Sequence, residues 1–391
     1  MPKVLIIAYY TPPLGMSGVM RITKFAKYLP RFNWQPIILS VKPIAYYHYD
    51  AQLMNDLTHV PIYRSESLDL ARLWYRFKLP SSLIKAKTNK MSIFSNFIFF
   101  PDAKSPWIPF ATQLGNKIIQ KEKPALLFAT SPPFSSLVVA LKLKKKFNLP
   151  LTIDFRDPWP TGFIEPPRII RNRVENLRDD LLKQADAVIT VNAQIRTQIN
   201  YPSAHIIDNG YDPDEFNQPA IEFKGLNIVH TGNIFGIENE LKIVMQAIAD
   251  FPQVRLTLLG QLSQSFLNEI PRYHNVHYLG LHSHAETIAI MKGASLLLYI
   301  SKPNQAVGLK LYEYFGARKP ILAIGDNTAQ ATQLIKNHQA GFVINKDLTA
   351  IKQFIQSYLN QKVPYDPINL ERYNRIEQSY QLSLIFNQIL T

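Results

Sequence analysis

Short, uninterrupted apolar runs alternate with helix-length amphipathic stretches along most of the 391-residue chain. The first run is Val4-Leu5-Ile6-Ile7-Ala8-Tyr9-Tyr10 and the second is Pro36-Ile37-Ile38-Leu39-Ser40-Val41. A strand with one wet face alternates polar and apolar residues. A continuous apolar run is instead a strand covered on both faces, as in parallel sheets. Between the two runs, a helical pattern sets Phe25, Ala26 and Leu29 on one side, with Arg21, Lys24 and Lys27 around it. A strand–helix–strand unit of this kind crosses over with a right hand.

The alternation then repeats. Further strands are predicted at residues 125–129, 151–154, 187–191 and 205–207. Residues 208–223 are rich in turn formers (Asn209-Gly210, Asp212-Pro213-Asp214, Pro219) and read as a boundary between domains. A second series starts at residues 226–232 and continues at 255–259, 276–279, 295–299, 320–324 and 342–344. The predicted fold class is therefore α/β, with two Rossmann-like doubly wound domains in tandem. The expected boundaries are an N-terminal domain at 1–210, a linker at 211–224, a C-terminal domain at 225–368 and a helical tail at 369–391. Residues 70–110 break the alternation. They mix Arg72, Arg76, Lys78, Lys85, Lys87 and Lys90 with apolar side chains such as Phe94, Phe97, Phe99 and Phe100. This pattern fits either a packed helical insertion or a basic, aromatic membrane-surface element.

Charge and composition narrow the function classes. Lys and Arg exceed Asp and Glu by 43 to 29, a net charge of +14, which suggests an anionic partner. The absence of cysteine excludes disulfides, thiolate metal sites and a cysteine nucleophile. No apolar run approaches the ~18 residues of a membrane span. Thr11-Pro12-Pro13 after the first run favours a strand over a signal peptide, so a cytoplasmic location is expected, peripheral at the inner face of the cell membrane. The nine histidines show no metal-ligand spacing, and Ser131-Pro132-Pro133 lacks the nucleophile-elbow pattern.

Three constellations could carry chemistry. Gly15-Met16-Ser17-Gly18 lies between the first strand and first helix, where free backbone N–H groups favour anions. Gly-x-Gly-x-x-Gly is absent, so a dinucleotide site is not supported. In the second half, Gly232, Gly260 and Gly280 end three strands, and ligands of open α/β sheets lie beyond such ends. Finally, Lys310 and Glu313 stand at i and i+3 of a helix that starts after Gly308 and runs into the strand at Pro320. A carboxylate can accept two ribose hydroxyls and a nearby ammonium can meet a diphosphate. A surface ion pair is the plain alternative.

Several segments together resemble the family-4 retaining glycosyltransferases of the GT-B fold, over most of the chain. They are Tyr9-Tyr10-Thr11-Pro12-Pro13-Leu14-Gly15-Met16-Ser17-Gly18, Phe25-Ala26-Lys27-Tyr28-Leu29, Asn209-Gly210-Tyr211-Asp212 with Phe216, and Lys310-Leu311-Tyr312-Glu313-Tyr314 with Lys319-Pro320-Ile321-Leu322-Ala323. Asp154-Phe155-Arg156-Asp157-Pro158-Trp159 is similar to the subgroup that builds bacterial surface polysaccharides. The resemblance implies two domains facing a cleft that closes to exclude water, with the C-terminal helix returning to the N-terminal domain. It implies a nucleotide-sugar donor on the C-terminal domain, held around Gly232, Asn233, Gly260, Gln261, Leu281, Gln305, Gly308, Leu309, Lys310, Leu311 and Glu313. Glu313 would hold the ribose, and Lys310 with the backbone after Gly308 would approach the diphosphate. A lipid-linked or polysaccharide acceptor would meet Gly15, Ser17, Gly18, Arg21 and Asp157. Catalysis would fall to Asp157, Arg156, Lys310 and Glu313. No cofactor, metal or nucleic acid is implied, and the leaving phosphate itself would assist deprotonation of the acceptor.

The chain departs from the family pattern in three places. Gln305 stands where the paired-glutamate motif has its earlier Glu, and an amide donates as well as accepts. Asn233 follows Gly232 where many members have Arg, and no base appears before Lys242, so Lys310 with Lys302 is expected to compensate. Arg156 precedes Asp157 where relatives have His. It could meet an acceptor phosphate or pair with Asp154 or Asp157. Two other readings stay open: a sugar-nucleotide epimerase of the same fold, and a non-enzymatic basic binder of nucleic acid or membrane.

Overall fold

Val4 and Ile6 pack into one layer while Leu5 and Ile7 pack into another, all four fully buried. Side chains of a strand alternate between faces, so a strand covered on both sides must be apolar at every position. This is the physical origin of the runs in the sequence. The computed structural model describes residues 1–15, 17–44, 49–77, 99–159, 168–303, 307–360 and 364–391, with the backbone alone at 17, 74 and 168–170.

The chain divides into two units, Met1–Asn209 with Arg375–Thr391, and Gly210–Asn374. The first holds a seven-stranded parallel sheet. Its strands are β1 (Lys3–Ile7), β2 (Gln35–Val41), β3 (Ile62–Ser65), β4 (Leu126–Ser131), β5 (Leu151–Phe155), β6 (Ala187–Thr190) and β7 (His205–Ile206), in the order β3-β2-β1-β4-β5-β6-β7. Between β1 and β4 the winding reverses. Helices Ser17–Tyr28, Ile108–Glu122 and Ser135–Phe147 cover the faces. The helix Arg375–Gln388 packs against Ser17–Tyr28, with Phe386 against Trp34 and Phe128, and Trp34 Nε1 donating to Asn387 Oδ1 at 3.0 Å. The returning C-terminal helix is as expected.

The second unit is a six-stranded parallel sheet made of β8 (Leu226–His230), β9 (Val254–Leu259), β10 (Val276–Gly280), β11 (Leu296–Ser301), β12 (Ile321–Gly325) and β13 (Gly341–Ile344). The order is β10-β9-β8-β11-β12-β13, and the winding reverses between β8 and β11. Val229, Leu297 and Ala323 face one core layer, and Ile228, Leu298 and Leu322 face the other. Both sheets are Rossmann-like, and the α/β, doubly wound expectation holds.

Three details differ from the sequence reading. The first strand ends at Ile7, because Tyr9 and Tyr10 already belong to the turn. The edge strand β3 was not anticipated. Its residues Ile62, Tyr63 and Arg64 are only half-buried and do not form an apolar run. Residues 211–224 fall within the second unit, where Tyr211 N–H donates to Tyr373 O at 2.9 Å and the Tyr211 ring packs on Phe216.

Candidate functional site

In open α/β sheets, ligands bind beyond the carboxyl ends of strands where the winding reverses. In the second unit that place lies between the ends of β8 and β11. The chain leaves β8 through His230, Thr231 and Gly232, and Gly232 has φ +93°. A Cβ on Gly232 would sit 2.8 Å from Lys310 Cε and 3.2 Å from Nζ, so the glycine makes the room that the lysine occupies. Behind it, Tyr314 OH accepts from Thr231 N–H at 3.1 Å and donates to Leu298 O at 3.2 Å. Burial holds that phenol in its protonated form.

The helix Leu309–Ala317 follows β11 and opens at Gly308, an N-cap residue that gives its first N–H groups no side-chain hydrogen bond. Such an end favours anions. Lys310 lies on its first turn, and its Nζ is 3.3 Å from His230 Nε2. The other His230 nitrogen, Nδ1, is 3.0 Å from Leu298 O. A carbonyl only accepts, so Nδ1 carries the hydrogen and Nε2 accepts from Lys310. Burial, and then the Lys310 charge, hold His230 well below its ordinary value, so it is neutral. Burial also brings the Lys310 ammonium down to about 8, although Glu313 pulls it up.

Glu313 is half-buried one turn further on. Its carboxylate makes no hydrogen bond among the described residues. Burial raises its pKa, His284 and Lys310 oppose the rise, and Glu215 adds to it. His284 Nε2 and Glu215 Oε2 are 3.0 Å apart. The site therefore presents a helix N-terminus, an amine held by a neutral imidazole, and a carboxylate with free lone pairs. Such a set can hold a phosphate and a pair of hydroxyls.

The other donor-site residues divide. Gly308, Asn233, Gln261 and Leu281 are exposed, and Leu309 is half-buried. Asn233 Oδ1 is taken by Phe235 N–H at 3.1 Å, and Gln261 O by Ile234 N–H at 2.9 Å. Two expectations need correction. Leu311 lies fully in the core and its N–H bonds Gly308 O, so it offers a ligand nothing. Gly260 is buried, with its N–H on Gly280 O and its carbonyl accepting from Tyr278 OH. A Cβ there would come 2.0 Å from Gly232 O, so Gly260 supports the Gly232 loop from below. Lys302 Nζ donates to Gly236 O, and Lys242 pairs with Glu269 at 2.8 Å. Gln305 lies outside the described residues.

In the first unit the winding reverses between β1 and β4. Arg21, expected at the acceptor, is 1% exposed. It donates from Nε and Nη2 to the two Asp154 oxygens, at 3.1 and 2.9 Å, and from Nη1 to Asp208 O at 2.8 Å. Thr130 Oγ1 adds a bond to the same carboxylate at 2.9 Å. Buried, Arg21 must be paired, and the pair takes it out of reach of an acceptor. Arg156 bonds neither Asp154 nor Asp157. Its guanidinium donates to Ser131 O at 3.1 Å, to Pro132 O at 2.8 Å and to Gly18 O, which clips the loops after β4 and β1. Asp157 is exposed next to it, and desolvation on its inner side raises its carboxyl against the pull of Arg156. Gly15 is half-buried and Gly18 exposed, and the side chain of Ser17 lies outside the description.

Sequence reasoning missed His230, Tyr314 and the Glu215–His284 pair. A histidine closing an apolar strand just before Thr231-Gly232 was the available signal for the first. Of the atypical stretch 70–110, residues 78–98, including Phe97, lie outside the described residues. Arg72 is buried against Tyr9 and Asp69, while Tyr75 and Phe77 are 64% and 70% exposed. Lys144 and Lys145 pair with Asp186 and Asp180. Among the described residues no helix is long and apolar enough to cross a membrane.

No family model matches the chain and no curated protein matches it. Solved structures do. A glycosyltransferase from Rickettsia africae superposes with a TM-score of 0.63 at 16% identity, over 100% of this chain and 99% of that one. Sucrose-phosphate synthase from Thermosynechococcus elongatus gives 0.62 at 14%, over 99% of both chains. HepE from Anabaena in complex with UDP gives 0.62 at 14%, over 99% of this chain and all of that one. At these identities the likeness shows the fold: two Rossmann-like domains arranged in chain order as in GT-B glycosyltransferases.

Proposed function

We propose that this protein is a retaining, metal-independent glycosyltransferase that moves a sugar from a nucleotide donor to a lipid-linked or polysaccharide acceptor of the cell surface. The observation that carries the reading is the second unit's switch point. There Lys310, the N-terminus of Leu309–Ala317 with its glycine N-cap and the Glu313 carboxylate, which makes no hydrogen bond among the described residues, offer an anion and a diol their partners. The GT-B-like fold and the UDP bound by HepE support a nucleotide sugar as donor.

Glu313 holds the ribose hydroxyls in this reading. Lys310 and the first N–H groups of its helix meet the diphosphate and stabilise the charge that grows on it as the sugar leaves. The acceptor is assigned to the first unit's strand-end loops, with Asp157 and Gly18 exposed and Arg156 holding the loops in shape. The basic and aromatic stretch 70–110 is the proposed contact with an anionic membrane. Transfer with retention proceeds on the front face, the leaving phosphate taking the acceptor's proton.

Thermal unfolding against UDP, GDP, dTDP and CMP tests the donor assignment. A ligand at 100 times its Kd adds roughly 2.7 kcal/mol to the state that binds it. That is about 5–11 °C for a unit of this size. The expected result is a shift with one nucleotide that disappears in Glu313→Ala. A shift retained by Glu313→Ala removes the residue from the site. The epimerase alternative needs acid and base groups near the donor sugar, and the Glu215–His284 pair beside Glu313 is its best support. Isomerisation of a nucleotide sugar without any acceptor would favour it.

A further inference from the structure

We infer that His230 is a positioning residue that holds the Lys310 amine against Gly232, and that at alkaline pH a nucleoside diphosphate is captured there with uptake of a proton from solvent onto Lys310 Nζ. This rests on the nucleotide reading of the second unit and adds a proton linkage to it.

The geometry comes first. His230 is 1% exposed, at the last position of β8. Its Nδ1–H is fixed on Leu298 O at 3.0 Å, which sets the tautomer and aims the Nε2 lone pair at Lys310, 3.3 Å away. Gly232 leaves the amine its space, since any Cβ there would overlap Lys310 Cε. Tyr314 closes the niche from behind through Thr231 N–H and Leu298 O.

The electrostatics follow. The titratable groups around the amine are His230 on β8, Glu313 and Tyr314 on its own helix, and the Glu215–His284 pair beyond Glu313, while Lys302, just after β11, is turned to Gly236 O. Among the described residues no carboxylate lies within salt-bridge distance of Lys310. Its nearest partner is a neutral ring. A partly buried ammonium with no carboxylate in direct contact gives up its proton readily, and the Lys310 value of about 8, lowered by desolvation and only partly restored by Glu313, agrees. An entering phosphate supplies the missing counter-charge and restores the value toward ~10.4, the ordinary lysine. The step balances simply: the amine lone pair takes one proton from water or buffer, and the ammonium so formed meets the phosphate oxygens.

Calorimetry at pH 8.5 in two buffers of different ionisation heat reads that proton. The probe is whichever of UDP, GDP and dTDP raises the melting temperature most. A shift from about 8 to about 10.4 gives an uptake of about 0.7 proton per nucleotide at pH 8.5 and about 0.1 at pH 7. His230→Asn keeps a donor for Leu298 O but cannot reach Lys310. Its uptake at pH 8.5 falls at least twofold, and its affinity at pH 7 falls severalfold. His230→Gln, whose amide oxygen reaches the place of Nε2, retains the uptake. A purely structural histidine would change stability in both variants and the uptake in neither. Buffer-independent heat in the wild type, or full uptake in His230→Asn, overturns the inference while leaving nucleotide binding intact. If His230→Asn does not fold, competitive amine labelling of the wild type decides. Lys310 should react with a midpoint about two pH units below the exposed lysines, and a midpoint among theirs overturns the inference. If no nucleotide binds at any pH, the nucleotide reading itself falls, and this inference with it.

Discussion

Arg21 and Lys310 occupy comparable places. Each stands on a helix that follows a strand of its sheet's switch point, Arg21 after β1 and Lys310 after β11. Arg21 is engaged along its whole guanidinium, with both nitrogens of one edge on Asp154 and the third on Asp208 O. Lys310 meets a neutral imidazole and a carboxylate that touches it only through space. The same topology thus holds one cation with a buried carboxylate and leaves the other on a neutral ring, the one that the proposed function assigns to the donor phosphate. A charge at a strand end is therefore informative about ligands only once its internal partners are known. In this molecule Arg21 and Arg156 are held by acceptors of their own unit, whereas among the described residues Lys310 has only the His230 ring.

The comparison is most easily broken at Arg21. Removing one partner of a buried ion pair leaves the other charge uncompensated and costs about 3–5 kcal/mol. Arg21→Met should therefore lower stability by about that amount in denaturant unfolding. Arg21→Met combined with Asp154→Leu should recover most of it. A loss below about 1 kcal/mol would mean that the pair is not what holds these loops, and that Arg21 is free for an acceptor after all.

The next effect concerns binding rather than stability. Charge-assisted hydrogen bonds contribute about 1.5–3 kcal/mol. Lys310→Met and Glu313→Ala should each weaken nucleotide binding by about ten- to a hundredfold in calorimetry, with unchanged circular dichroism. Arg21→Met, where it still folds, should leave the nucleotide affinity alone. Equal losses from both cations would erase the distinction between the units.

The sequence made the fold legible because burial on both faces demands runs such as Val4 to Ile7, which few other architectures tolerate. It hid β3, whose half-buried edge residues Tyr63 and Arg64 carry no such demand. The pair Lys310 and Glu313 was visible because i and i+3 of one helix are neighbours by geometry alone. Arg21 was misread for the opposite reason. Its partner Asp154 lies 133 residues away, and only the sheet brings the two together. His230 was overlooked because one histidine at the end of an apolar strand resembles a core residue until its two nitrogens are assigned partners.

Gly232→Ala sharpens the contrast from the backbone side. A residue with a Cβ at φ +93° carries about 1–2 kcal/mol of strain, and here the methyl also meets Lys310 Cε at 2.8 Å. The expected outcome is a stability loss of about that size together with weaker nucleotide binding, since the amine must move. Gly18→Ala, whose Cβ meets only the end of Arg156 at 3.3 Å, should leave nucleotide binding unchanged.

The smallest expected effect has the opposite sign to that at Arg21. Lys310 titrates at about 8 in the folded protein, below its unfolded value of ~10.4. Below pH 8 both states carry the charge, and the folded state bears the full penalty of burying it. Between pH 8 and about 10.4 the folded state sheds the proton first and the penalty fades. Lys310→Met should therefore raise stability by about 1 kcal/mol at pH 7, allowing for solvent screening of a half-buried group. That gain should shrink to nothing by about pH 10.4. The measurement is the difference in melting temperature between wild type and variant across this range. A variant less stable than wild type at pH 7 would put Lys310 in the same class as Arg21, a cation that holds the fold, and would leave the second unit without its reserved charge.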